Sequence, residues 1–126
     1  MNTKEKLPDV LYVEDDEVAV RLVSHNLSKV CRLEVVNEGY SAMDKVKAKQ
    51  YDAILMDINL GASSPSGIEI VRMLRQLENY KNTPIIAITA FALEGDRDEF
   101  ISAGCSHYIT KPFTRSELMA IINDAL

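Results

Sequence analysis

Glu14, Asp15, Asp57, Thr89 and Lys111 each follow a short apolar run, in the stretches VLYVEDD, AILMDIN, PIIAITA and YITKPF. If those runs are strands of an open parallel sheet, their carboxyl ends form the crevice where ligands bind. Glu14 and Asp15 then offer hard oxygen ligands suited to Mg²⁺, which takes one or two carboxylates and keeps several waters. Asp57 suits either of two roles, a further metal ligand or a nucleophile that accepts a phosphoryl group as an acyl phosphate. Asn59, two residues on, offers its backbone carbonyl to the same cation. Three acids packed together without a cation repel one another and rise in pKa, so a divalent ion would relieve the site. The Thr89 hydroxyl can donate to a phosphoryl oxygen, and the Lys111 ammonium is a point charge for an anion. Lys111 precedes Pro112, and an X-Pro bond in a tight turn can be cis and fix the direction of its neighbour.

Each of these residues also has an ordinary explanation. Acids favour helix N-termini, and Asp16 and Glu17 are assigned that duty. Asp57 could simply form an Asx-turn, a Thr at a strand end is common, and most lysines are merely solvated. What the ordinary explanations leave unaccounted for is the joint pattern, one reactive residue at the end of each run. Asp52 precedes its run and falls at the opposite end of the sheet, so its expected role is structural. His107 reads as a strand-edge residue with no activating neighbour. Cys105 beside Gly104 reads as a small residue in a tight turn, and Phe113 as packing beneath the Lys-Pro turn.

The elements that must position these groups are five predicted strands at Val10–Val13, Leu33–Val36, Ala53–Met56, Pro84–Ile88 and His107–Ile109. Several are continuous apolar runs, as expected where helices cover both faces of a sheet. Between them, Val20, Val23, Leu27 and Val30 are predicted to line one face of a first helix. Ile70, Met73, Leu74 and Leu77 do so for a third, and Leu118, Ile121, Ile122 and Ala125 for a fifth, opened by the capping box Thr114-x-x-Glu117. A second helix (about 41–49) and a fourth (about 93–103, with Gly95 near its start) have weaker patterns. Regular strand–helix alternation predicts an α/β fold, a doubly wound five-stranded parallel sheet with right-handed crossovers. The order 2-1-3-4-5 is expected, because it puts the switch point between strands 1 and 3, where the acids are richest. The longest irregular segment near the site runs from Asn59 to Gly67.

Composition narrows the function. A chain of 126 residues fits one domain, with a core expected from about residue 8 to 126. Its 47% hydrophobic and 26% charged content is that of a globular protein, and its net charge of −5 gives no reason to expect direct nucleic-acid binding. No apolar run approaches the roughly 20 residues of a membrane span, and MNTKEKLPD lacks the apolar stretch of a secretory signal. Cys31 and Cys105 form no CxxC pair, so two reduced thiols in a cytoplasmic protein are expected.

The whole pattern, from VLYVEDD to the last helix, resembles the receiver domain of two-component response regulators, a flavodoxin-like fold. The resemblance implies that Glu14 and Asp15 bind Mg²⁺ (with Mn²⁺ as a substitute) together with Asp57, the phosphoacceptor. Asn59 would add its main-chain carbonyl, and Thr89 and Lys111 would be the family's hydroxyl and lysine. Tyr108, three residues before Lys111, falls on the switch aromatic; as a plain residue it is an ordinary half-buried strand aromatic. The donor would be a phosphohistidine on a sensor histidine kinase or histidine phosphotransfer protein. The readout would be a change in the face of helix 4, strand 5 and helix 5 toward a downstream protein target, the chain being a monomer or a weak dimer through helices 4 and 5. Two departures stand out: Gly67 comes later than usual after the acceptor, and Phe91, two past Thr89, is bulky and expected to restrict an attacking water and prolong the phosphorylated state. A different class of function is a Mg²⁺-dependent phosphohydrolase that forms an aspartyl phosphate on Asp57. Enzymes of the haloacid-dehalogenase type share that chemistry but carry an Asp-x-Asp motif after their first strand, which this chain lacks.

Overall fold

The computed structural model describes residues 7–59, 66–90 and 94–126. Among these residues the chain alternates strand and helix: β1 (Asp9–Val13), α1 (Glu17–Leu27), β2 (Arg32–Val36), α2 (Gly39–Ala48), β3 (Ala53–Asp57), α3 (Gly67–Gln76), β4 (Ile85–Thr89), α4 (Glu94–Ala103), β5 (His107–Thr110) and α5 (Arg115–Ala125). A 3-10 turn at Glu78–Tyr80 follows α3. The strands pair in parallel in the order β2-β1-β3-β4-β5, as the sequence predicts. The switch point lies between β1 and β3, where Val13 stands opposite Met56.

Strand parity divides the core into two layers. Leu11, Val13, Ile54, Met56, Ile85 and Ala87 pack on one face under α2, α3 and α4. Val10, Tyr12, Leu55, Ile86, Ile88 and Ile109 pack on the other under α1 and α5. Covering both faces explains why β3 and β4 are buried at every position, whereas the edge strand β2 leaves Arg32 and Val35 exposed and buries only Val36. Asp16 caps α1 by accepting from the Ala19 N–H, and Ser66 caps α3 from Glu69. Thr114 and Glu117 form the predicted reciprocal capping box on α5.

Two apolar stripes differ from the periodic reading. α1 ends at Leu27, and Val30 sits in the following turn, donating its N–H to the Leu27 carbonyl while still packing against the α1–α5 core. On α3 the buried stripe is Ile70, Val71 and Leu74, and Met73 is turned outward. Strand ends also shift: Asp57, Thr89 and Thr110 belong to their strands, and β4 starts at Ile85 rather than Pro84. Away from the crevice, Arg75 donates to the carbonyls of Gly104, Tyr80 and Thr83 at 2.8, 2.6 and 2.7 Å. Gly104 has φ +122, and a Cβ there would lie 2.6 Å from Arg75 Cγ, so this turn requires glycine twice over.

Candidate functional site

The carboxyl rim gathers the predicted residues. β1 delivers Glu14, whose N–H continues the ladder to the Val36 carbonyl, and Asp15 follows it, exposed at the start of the turn. β3 delivers Asp57 as its last residue, and β4 delivers Thr89. Glu14, Asp57 and Thr89 are almost wholly buried, at 1%, 2% and 1% exposure, so their polar atoms must be satisfied inside the rim. Glu14, Asp15 and Asp57 each place a carboxylate oxygen within 4.8 Å of the others. Lys111 reaches in from β5, with Nζ 3.2 Å from Glu14 Oε1 and 3.9 Å from Asp57 Oδ2. The Lys111-Pro112 peptide is cis. A recess of about 650 Å³ opens beside the acids, lined by Glu14, Asp15, Glu17, Arg21, Asn37 and Ser41 among others.

The electrostatics are those of crowded, buried acids. Burial pushes the Asp57 carboxyl up to about 7, and the adjacent Glu14 carboxylate reinforces the rise. For Glu14, burial opposes ionisation, but the proton on Asp57, the Lys111 ammonium and the Asp16 N–H together hold it below the usual carboxylate value. One proton on Asp57 is thus the metal-free way of quieting two buried acids. A hard divalent ion fits this donor set, since it would replace that proton with a larger charge and accept oxygen ligands from all three residues. Asp57 also keeps its Asx-turn: Oδ1 accepts from the Asn59 N–H at 2.9 Å.

The Asn59 side chain does something the sequence did not suggest. Its Oδ1 accepts from Thr89 Oγ1 at 3.3 Å and from the Ala90 N–H at 3.1 Å, tying the ends of β3 and β4 together. Gly67, which closes the predicted irregular segment after Asp57, is pressed against that residue. A Cβ on Gly67 would lie 2.5 Å from the Asp57 carbonyl oxygen, so α3 starts directly against the Asp57 backbone. Tyr108 is half-buried on β5, with Arg97 5.7 Å from its ring centroid. Tyr12, unremarked in an apolar run, donates its buried hydroxyl to Glu14 Oε1 at 3.1 Å. The i, i+2 spacing of Tyr12 and Glu14 on one strand face was the available signal. Asp52 lies at the far end, accepting from the Asp9 N–H. His107 bridges Ser106 and Asp124 on the β5 edge. Phe91 and the stretch 60–65 lie outside the described residues.

A 2-1-3-4-5 parallel sheet with acids, a hydroxyl and a lysine on the rim of its switch point defines the receiver class of α/β signalling modules. The model of the response regulator receiver domain matches residues 10–123, and the chain belongs to that family. It is 34% identical over 119 residues to the polar-differentiation response regulator DivK of Brucella ovis, covering 93% of this chain and 94% of that protein. It is 33% identical over 118 residues to hybrid signal transduction histidine kinase G of Dictyostelium discoideum, matching 90% of this chain but spanning only 3% of the kinase. Among solved structures, the receiver domain of a sensor histidine kinase from Pseudomonas aeruginosa, with a magnesium ion in its active-site cleft, matches with TM-score 0.85 and 37% identity. That match covers 94% of this chain and 97% of the other. The chemotaxis protein CheY4 of Vibrio cholerae matches with TM-score 0.88 and 26% identity, covering 95% and 99%. This is a receiver of two-component signalling, a family of switches that bind Mg²⁺ in an acidic pocket and work with histidine kinases and downstream targets. No helix among the described residues is long and apolar enough to cross a membrane.

Proposed function

We propose that this receiver takes a phosphoryl group from a phosphohistidine onto Asp57 and changes its partner-binding surface in response. The observation that carries the reading is the convergence of the Glu14, Asp15 and Asp57 oxygens within 4.8 Å, with Lys111 Nζ 3.9 Å from Asp57. Glu14, Asp15, Asp57 and the Asn59 carbonyl would hold Mg²⁺, for which Mn²⁺ could substitute. Bound there, the cation would supply charge neutralisation to the transferring group. The ionised Asp57 carboxylate attacks phosphorus, the P–O bond forms as the P–N bond to the donor imidazole breaks, and the imidazole leaves with the electron pair and takes up a proton. Lys111 and Thr89 then stabilise the phosphoryl oxygens. To do so Thr89 gives up its bond to Asn59 Oδ1, and the rearrangement at β4 reaches Tyr108 and the α4–β5–α5 face.

On this reading residues 1–126 work as one receiver domain in the cytoplasm, primarily a switch that assists its own phosphorylation. The donor is a sensor histidine kinase or histidine phosphotransfer protein, and the target is a protein docking on the α4–β5–α5 face; the chain itself is monomeric or weakly dimeric through α4 and α5. Incubation with Mg²⁺ and acetyl phosphate followed by intact-mass measurement tests it. Wild type should gain one phosphoryl group and Asp57→Asn none. Steady turnover of general phosphomonoesters would instead mark the phosphohydrolase alternative.

A further inference from the structure

We propose that Tyr12 is a positioning residue for the cation site: its hydroxyl holds the Glu14 carboxylate in place so that Lys111 can leave it. The inference rests on Glu14 serving as a metal ligand.

Tyr12 lies on the β1 face covered by α1 and α5, and Glu14, one residue past the strand, continues its ladder two positions on. Their Cα atoms are therefore about 7 Å apart along the strand. Glutamate bridges that gap, since its extra methylene lets the carboxylate fold back to the phenol at 3.1 Å. Glu14 Oε1 consequently has two donors, the Tyr12 hydroxyl and the Lys111 ammonium at 3.2 Å. These donors differ in freedom. Tyr12 is fully buried in the α1–α5 core, whereas the Lys111 side chain is 30% exposed and stands between Glu14 and Asp57.

A buried carboxylate oxygen stripped of its donors carries a large desolvation cost. With Lys111 alone on Oε1, recruiting the lysine to a phosphoryl group would strand that oxygen. The lysine would then resist leaving, and the carboxylate would swing to follow it. A second, immobile donor removes this conflict. Tyr12 keeps Oε1 paired and the carboxylate oriented while Lys111 moves between Glu14 and the anion. Groups that orient metal ligands in this way typically alter metal affinity roughly 10- to 100-fold when removed.

Calorimetric titration with MgCl₂ of wild type, Tyr12→Phe, Glu14→Asp and the double variant tests the role. Tyr12→Phe keeps the ring in the core and should weaken Mg²⁺ binding roughly tenfold. In the Glu14→Asp background, where the shorter carboxylate falls short of the phenol, the same change should alter binding less than about twofold. Equal losses in both backgrounds, or an unchanged affinity in Tyr12→Phe, would overturn the proposal while leaving the site reading intact. If wild type itself bound no Mg²⁺, the site reading would fall and Tyr12's role with it. A readout on the unmutated protein guards against a folding defect: in a sample carbon-13-labelled at tyrosine Cζ, saturating Mg²⁺ should shift the Tyr12 resonance as Glu14 Oε1 loses electron density. A resonance that stays still on saturation would refute the coupling.

Discussion

Replacing Asp57 with Asn should stabilise the metal-free protein, and the gain should grow with pH. Burial, helped by Glu14, raises the Asp57 carboxyl from 3.8 to about 7 in the folded protein. Below pH 3.8 the group is protonated in both folded and unfolded chains and adds no pH-dependent difference. Between 3.8 and 7 the unfolded chain releases the proton while the folded one keeps it, so stability falls as pH rises. Above about 7 both are ionised and the full penalty stands. Moving a carboxyl that far corresponds to roughly 4 kcal/mol at face value, and relaxation and water penetration around the ionised group reduce this to about 2 kcal/mol. Asn removes the charge at nearly constant shape. In EDTA at pH 8.5, Asp57→Asn should therefore melt roughly 5–10 °C above wild type, with only a minor part of that gain at pH 5. Circular-dichroism melts at several pH values would measure it. A difference independent of pH, or a variant less stable than wild type at pH 8.5, would refute the account. Adding Mg²⁺ should stabilise wild type more than the variant, because the variant lacks one of the charges that the ion offsets.

Other consequences are open to equally direct measurement. Gly67→Ala forces a Cβ against the Asp57 carbonyl and should destabilise the fold by about 2 kcal/mol or more in urea melts, with shifted amide resonances at Asp57 and Ile58. Asn59→Ala removes the acceptor for Thr89 and the Ala90 N–H, and should cost about 1 kcal/mol and accelerate hydrogen exchange at Ala90. Arg75→Met leaves three carbonyls without their donor and should cost about 2–3 kcal/mol in denaturant titrations. Burial pushes both Cys31 and Cys105 thiols up to about 11, so iodoacetamide at pH 8 should leave them unmodified until the protein unfolds.

Strand order and the rim residues were legible because each depends on a local pattern: an apolar run of strand length, then one reactive side chain. Helix caps at Asp16 and Thr114 were legible for the same reason. The misassigned faces, Val30 and Met73, arise where periodicity is extended past a helix end or across a stripe whose edge the neighbouring helix decides. Asn59's side-chain bridge to Thr89 was beyond reach, since the two lie thirty residues apart and only side-chain rotamers bring them together. Tyr12 was nearer to hand. Its hydroxyl in the apolar stretch before Glu14 needed a buried acceptor, and strand alternation placed one on its own face.

The Arg75 cluster has a mechanical consequence. Its guanidinium locks the turn at Gly104, where α4 runs into β5, to the end of α3 and the approach to β4. Along α4, Asp96, Glu99 and Phe100 border the same small hollow as Thr89. The helix is therefore clamped to the chassis where it runs into β5, and its flank faces Thr89. On the proposed function, a pull at Thr89 would act on α4 as on a lever with its fulcrum at Gly104. The helix would then tilt rather than slide, and a small step at the crevice would be felt along the surface it shares with β5.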